Sequence, residues 1–245
     1  MRIRYDFHLH SCLSPCGSDD MTPSNIVNMA LLLGFDMIAL TDHNSCRNTP
    51  AAVQIGSQNG LTVVPGMELC TAEEAHVICL FPIVEAALRF DQYVADRSVT
   101  LRNRPEIFGH QLIVDENETV VGEEENLLLN AVAISVNDVQ KVVHGFGGAA
   151  FPAHVDRNAF SVIASLGAIP PEANFAAAEV SEKGDVQKLL RTNPELEGKI
   201  LLLNSDAHYL EDMLEPRASI QLPEKTPECL IAALCGEFKI KWSRG

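Results

Sequence analysis

Short apolar runs alternate with stretches of helical periodicity along almost the whole chain, and a sequence patterned this way has few folds open to it. Residues 3–9, 37–40, 61–64, 77–81, 149–153, 176–180 and 200–203 are strand-like. The gaps between them have room for helices. Thr22 supplies a cap, Pro23 suits the first helical position and Gly34 marks a stop, so the spacing predicts a helix over residues 23–33. A second helix is expected from Ser135, with Asp138 three residues on, to about Gly145. The βαβα order predicts an α/β protein with a mostly parallel sheet or barrel. At 245 residues a single α/β barrel needs no second domain, so one domain over residues 1–245 is expected.

One region breaks the alternation. Residues 89–130 are rich in charge and carry two β-prone pieces, 111–114 and 119–121, around Asp115-Glu116-Asn117-Glu118. That pattern predicts a hairpin on an insertion, and Glu123-Glu124-Glu125 within it reads as a solvated turn.

A formal net charge of -15 disfavours a surface that attracts polyanions, so neither long nucleic acid nor an anionic membrane is expected as a partner. Divalent cations gathered where carboxylates converge would reverse that sign locally and admit a small phosphorylated substrate. The seven cysteines are odd in number and scattered through apolar stretches, which argues against a disulfide framework and for a reducing compartment. No run approaches membrane-spanning length, and the first residues lead into a strand without the apolar core of a signal peptide; a cytoplasmic location is expected. Nothing in the sequence sets the oligomeric state.

The ionisable residues fall where the strands end. Asp6-Phe7-His8-Leu9-His10 closes the first strand, and in extended backbone His8 and His10 point to the same side. Thr41-Asp42-His43-Asn44 follows the second strand, Gly66-Met67-Glu68 the third, His154 the run at 149–153, and Ser205-Asp206-Ala207-His208 the run at 200–203. In a barrel of parallel strands these ends converge on one face. His8, His10, His43, His76, His154 and His208 are six of the eight histidines, and with Glu68, Asp206 and the pair Asp19-Asp20 they offer an imidazole and carboxylate set suited to Zn, Mn or Fe. A single His or Asp at a strand end is usually a hydrogen-bonded structural residue or a helix cap, and Asp42 and Ser205 read as caps or as partners of ligands. The pair His8 and His10 differs, because two imidazoles side by side repel once protonated and a shared cation removes the conflict.

At these residues the chain resembles the PHP family, named for polymerase and histidinol phosphatase domains. The first motif is Asp6-Phe7-His8-Leu9-His10-Ser11, the second Thr41-Asp42-His43-Asn44 and the third Gly66-Met67-Glu68. Pro152-Ala153-His154-Val155-Asp156-Arg157 and Asp206-Ala207-His208 match the later ones. The resemblance implies a distorted (β/α)7-type barrel with two or three divalent metal ions and an insertion between the Glu motif and the later His. It implies that His8, His10 and Asp206 hold one ion and His76 and His154 a second, with Glu68 bridging the two. His43, His208 and a loop aspartate would hold a third. Residues 11–18 lengthen that loop relative to the family pattern, so either Asp19 or Asp20 fills the role, with Asp19 preferred and Asp20 nearer the helix cap.

Other candidates stand beside this set. Cys12 and Cys16 form a single Cys-x3-Cys with no second pair, which reads as packing. His110 and His144 read as surface or structural residues. Arg157 suits either a bidentate phosphate contact or a surface ion pair, and Arg102, Arg104 and Lys183 are weaker candidates for the same mouth. The sequence predicts a metal-dependent phosphoesterase acting on a small phosphomonoester or nucleotide phosphate, in which the ions lower the pKa of a bridging water and Glu68, Asp206 and His208 organise it. The rival readings are metal-assisted hydrolysis of an amide or cyclic ester, and a non-catalytic metal-binding regulator.

Overall fold

The computed structural model describes residues 1–181 and 184–244. In chain order the elements begin with β1 (Arg2–Leu9), α1 (Pro23–Leu33), β2 (Met37–Leu40), α2 (Thr49–Asn59), β3 (Thr62–Cys70), β4 (His76–Leu80) and α3 (Val84–Ala95). They continue with α4 (Pro105–Phe108), β5 (Leu112–Val114), β6 (Val120–Glu123), α5 (Val136–Gly145), β7 (Ala149–Pro152) and α6 (Val162–Leu166). The last are β8 (Ala177–Ser181), α7 (Val186–Thr192), β9 (Ile200–Asn204), β10 (Ala218–Gln221), α8 (Pro227–Leu234) and β11 (Trp242–Arg244).

The main sheet runs β11-β10-β1-β2-β3-β4-β7, and β8 pairs in parallel with β9. β1, β2 and β3 are parallel, whereas β4 is antiparallel to both β3 and β7, which restores β7 to the direction of β3. The curl is closed by backbone bonds rather than by full ladders. Val155 N–H donates to the Glu179 carbonyl at 2.9 Å, joining the end of β7 to β8, while Asp206 N–H donates to the His8 carbonyl at 3.1 Å and His10 N–H to that of Ala207 at 3.0 Å. The strands β1, β2, β3, β4, β7, β8 and β9 thus make the expected distorted α/β barrel, with β10 and β11 extending the sheet beyond β1.

Period-two alternation sorts the core. Met37 and Ala39 of β2 enter the larger apolar cluster, and Ile38 and Leu40 enter a second one under α1 and α2. Helix α1 has the expected bounds, with Thr22 Oγ1 accepting the Asn25 N–H and Gly34 in the left-handed conformation at φ 85°. Helix α5 starts at the Ser135 cap as expected. Residues 84–95 are also helical, so the excursion from the barrel begins after α3 and not at 89. Arg89 lies on the outer side of an amphipathic helix whose Ala86, Ala87, Phe90 and Val94 are buried, and its charge mimicked the start of the insertion. The hairpin β5–β6 lies within the insertion, close to its expected place.

Candidate metal centre

Glu68 stands at the centre of the site. It sits in β3 with 1% of its surface exposed, and five imidazoles reach its carboxylate. Oε1 is 2.9 Å from His76 Nδ1 and 3.2 Å from Nε2 of both His8 and His154. Oε2 is 2.9 Å from His43 Nδ1 and 3.3 Å from His10 Nε2. Asp206 adds a second carboxylate, with Oδ1 3.1 Å from His8 Nε2 and 3.0 Å from His10 Nε2. The His208 ring stacks on that of His10 with centroids 4.0 Å apart.

The fold explains the convergence. His8 and His10 share a side of β1 and its continuation, and His43 follows β2, whose neighbour is β3. His76 begins an antiparallel strand and still reaches the same rim, because β4 returns from β3 through a tight turn in which the Thr71 and Ala75 backbones bond at 2.9 Å. In that register Cys70 opposes His76 and Glu68 opposes Ile78, so Glu68 and His76 are diagonal neighbours on one face. His154, with φ 28°, and Asp206, with φ 56°, are held in the left-handed region that ordinary residues avoid, a strain common where side chains must be aimed.

Partners behind the rings set their tautomers. His8 Nδ1–H donates to both oxygens of buried Glu179, at 3.0 and 2.9 Å, which turns Nε2 toward Glu68. His10 Nδ1 lies 2.9 Å from Ser14 Oγ, and the Ser14 hydroxyl donates to Asp42 Oδ1 at 2.7 Å, so His10 Nδ1–H is the donor to Ser14 and its Nε2 faces Glu68 and Asp206. His208 Nδ1–H donates to the Asp206 carbonyl at 2.9 Å. Asp42 is therefore the partner of a ligand-type histidine, one of the two roles expected for it.

Protons alone do not satisfy this arrangement. Among the described residues, His43 Nδ1, Glu68 Oε2, His154 Nδ1 and Asp206 Oδ1 are buried atoms without a hydrogen-bond partner. Yet His43 Nδ1 and Glu68 Oε2 are only 2.9 Å apart: they are close without being aimed at each other. Atoms that face common space are arranged as a cation's ligands are, and the donor set fits a divalent ion. Three compact groups meet here, namely His8, His10, Glu68 and Asp206; His43, Glu68 and His76; and His10, His43 and His208.

Without cations the cluster shares protons unevenly. Burial disfavours charge on Glu68, but His76, His8 and His43 outweigh it and hold the carboxyl well below its ordinary range. Burial likewise opposes protonation of His8, and Glu179, Asp206 and Glu68 overcome it and raise the ring well above its usual value. Burial is the largest influence on His76 and opposes its protonation, but the Glu68 charge together with hydrogen bonds to Cys70 and Glu68 outweighs it and lifts the ring to about 10. His43 falls to about 4 through burial, and His208 to about 3 through burial and the nearby His10.

Asp19 and Asp20 do not join the cluster. Both are exposed and belong to none of the three groups. The lengthened loop spends its extra residues in tight turns, with Ser14 bonded back to Ser11, Gly17 to Ser14 and Ser18 to the His208 carbonyl, so the aspartates emerge outside it. Cys16 lies at the mouth in their stead, while Cys12 is buried with its thiol donating to the Leu112 carbonyl at 3.8 Å, and all seven cysteines are free.

A cleft of about 630 Å³ opens over the cluster, lined in part by Cys16, Leu129, Arg157 and Phe160. Arg157 Nη1 donates to Asp206 Oδ2 at 2.5 Å, so at rest it makes an ion pair within the site. Arg102 and Arg104 do not line this cleft, exposed His110 pairs with Glu123 at 2.9 Å, and His144 lies in the last turn of α5. Lys183 lies outside the described residues. Glu179 was missed from the sequence, although a lone charge inside the apolar strand at 176–180 was a visible signal. No helix among the described residues is long and apolar enough to cross a membrane.

Comparison with known proteins places these features in a family. The chain is 33% identical over 78 residues to the 5'-3' exoribonuclease Rnm of Salmonella typhimurium, a match spanning 31% of this chain and 26% of that relative. Its fold is similar to that of a lesion-specific endonuclease from Pyrococcus furiosus, with TM-score 0.69, 17% identity and coverage of 99% of this chain and 58% of that one. A structure of Endonuclease Q with a 27-mer duplex carrying an abasic lesion superposes with TM-score 0.69 at 17% identity, over 98% of this chain and 58% of that one. The chain thus spans about a quarter of the exoribonuclease and little more than half of the endonucleases.

These matches overturn the expectation that long nucleic acid is excluded. Net charge averages over the whole surface, whereas substrate entry is decided at the mouth of the site, and proteins sharing this fold act on nucleic acid. The model of the PHP domain matches residues 6–144, more than half of the chain, which therefore belongs to the PHP domain family of metal-dependent phosphoesterases.

Proposed function

We propose that this protein hydrolyses a phosphate ester of a nucleotide, either a free nucleotide phosphate or the end of a nucleic-acid strand, using two or three divalent ions of the Mn, Zn or Fe type. The observation that carries the reading is the Glu68 carboxylate, met by five imidazole nitrogens at 2.9 to 3.3 Å with Asp206 alongside. His8, His10, Asp206 and Glu68 would hold one ion, and His43, His76 and Glu68 another. His154, whose Nε2 is 3.2 Å from Glu68, would complete the second, and His10, His43 and His208 offer a third position. Mixed imidazole and carboxylate donors favour Mn, Zn or Fe over Ca and Mg.

Bound divalent ions supply Lewis acidity, polarising phosphoryl oxygens and lowering the pKa of water. The chain's own residues do the rest. Glu179, and Ser14 with Asp42, hold the His8 and His10 rings so that their Nε2 atoms face inward. Arg157 at the rim presents a guanidinium to an incoming phosphate, and the cleft has the volume of a site for a small ligand. The exoribonuclease and endonuclease relatives favour a nucleotide-bearing ester over a sugar phosphate.

Elemental analysis of purified protein should find Mn, Zn or Fe. Phosphate release from a panel of mononucleotides, nucleoside bisphosphates and short oligonucleotides should then be abolished by chelator and restored by metal. Protein replete with metal that releases nothing from the panel would sink the reading.

A further inference from the structure

Among the described residues Phe160 is the only phenyl ring lining the cleft, and it is 51% exposed at the mouth of the site. The fold goes to some expense to keep it there. Its φ of 54° lies in the left-handed region, which bulky residues enter only when their surroundings impose it. The turn is tied down by the Arg157 N–H bond to the His154 carbonyl at 2.9 Å and by the Ser161 hydroxyl bond to the Arg157 carbonyl at 2.7 Å. The Phe160 carbonyl also accepts the His76 N–H at 2.8 Å. One face of the ring stacks on His76, with centroids 5.0 Å apart and planes 22° apart. Leu129, from the insertion, lines the same cleft, and Arg157 precedes Phe160 by three residues in the same turn.

We propose that Phe160 is the stacking platform for the nucleobase attached to the phosphate ester, and so a specificity-determining contact of this site. The inference rests on the nucleotide reading above and adds where the base lies: against the open face of Phe160, while the phosphate meets Arg157 and the metal cluster. A flat apolar ring left open to water gains when a planar base covers it, and stacking of this kind accepts every base because each has a π face. The site therefore selects for the presence of a base more than for its identity.

The test compares adenosine 5'-monophosphate with ribose 5-phosphate, which keeps the phosphate and sugar and lacks the base. Each is titrated calorimetrically into metal-loaded wild type, Phe160→Trp, Phe160→Leu and Phe160→Ala, and metal content is measured in all four. Wild type and Phe160→Trp should bind the nucleotide about tenfold or more tightly than the sugar phosphate. In Phe160→Leu, which still covers His76, and in Phe160→Ala the preference should collapse at unchanged metal content. A wild-type preference near unity with phosphate release intact overturns the platform and leaves a phosphoesterase standing. Retention of the preference in Phe160→Ala overturns it too, as does loss of metal from Phe160→Leu in step with the preference, which would make the ring only a support for His76. If neither compound binds wild type, the nucleotide reading fails and the platform with it.

Discussion

Glu179 and His8 are 171 residues apart in the chain, and both oxygens of the Glu179 carboxylate lie within 3.0 Å of His8 Nδ1 with neither side chain open to solvent. The same carboxylate accepts the His154 N–H at 3.0 Å and the Asn204 amide at 2.8 Å. One buried acid thereby fixes the orientation of one candidate ligand and the backbone of another, tying β8 to β1 and β7.

Replacing Glu179 by Gln keeps the shape and removes the charge. Its amide can still accept one bond, but it no longer holds the Nδ1 proton of His8 firmly, and outer partners of this kind typically contribute 10- to 100-fold to metal affinity. The expected result is metal binding weaker by about tenfold or more, with the circular dichroism spectrum unchanged. Equilibrium dialysis against a metal buffer measures it, and unaltered affinity would remove Glu179 from the site.

Metal loading should expel protons. In the cation-free protein the folded pKa of His8 is raised well above its usual value and that of His76 to about 10, so these two rings hold protons at pH 7 that a cation must displace, and His10 is shifted in the same direction. His43, at about 4, and His208, at about 3, are already neutral there and release none. Affinity therefore rises with pH, and calorimetry in buffers of different ionisation enthalpy should show net proton release on binding. A binding enthalpy independent of buffer would contradict this.

Glu68→Gln removes the one carboxylate common to two of the metal-competent groups. Metal content should drop by at least one equivalent, and turnover by at least about a hundredfold, the scale of losing one preorganised electrostatic contact. Elemental analysis with phosphate release reads both, and a variant with full content and full turnover would disprove the bridging role.

Much of this site was legible because ligand chemistry and strand periodicity leave local marks. His8 and His10 declare a shared face by spacing alone, and Glu68 and Asp206 betray themselves as charges at the ends of apolar runs. Glu179 left a weaker mark, since its partner lies on a distant strand and only the fold brings them together. Asp19 and Asp20 misled for the opposite reason: loop length in residues says nothing about how many of them a chain of tight turns consumes. The acidic total misjudged partners because a sum over 245 residues carries no position.

Gly109 joins the insertion to the loop below it. Its φ is 95°, and a Cβ there would sit 2.2 Å from the Pro15 carbonyl oxygen, which belongs to backbone and has little room to yield. Gly109→Ala should therefore destabilise by about 1–3 kcal/mol, the range for a strained backbone position. Denaturant unfolding measures the loss, and hydrogen exchange should place the loosening in residues 105–123. A neutral effect would mean that the insertion docks without this contact.

Arg157 is expected to affect metal and phosphate in opposite directions. Its guanidinium pairs with Asp206 Oδ2, and Asp206 Oδ1 faces His8 and His10, so the arginine and a cation compete for one carboxylate. Arg157→Ala should then bind metal at least as tightly as wild type. The same change removes a charge-assisted contact for an incoming phosphate, a bond of about 1.5–3 kcal/mol, and should weaken inorganic phosphate binding to the metal-loaded protein by about tenfold or more. Arg157→Lys keeps the charge without the planar fork and should fall between the two. If the arginine were only a surface ion pair, its removal would leave phosphate affinity where it was, and a parallel loss of metal and phosphate would make it a structural brace for Asp206.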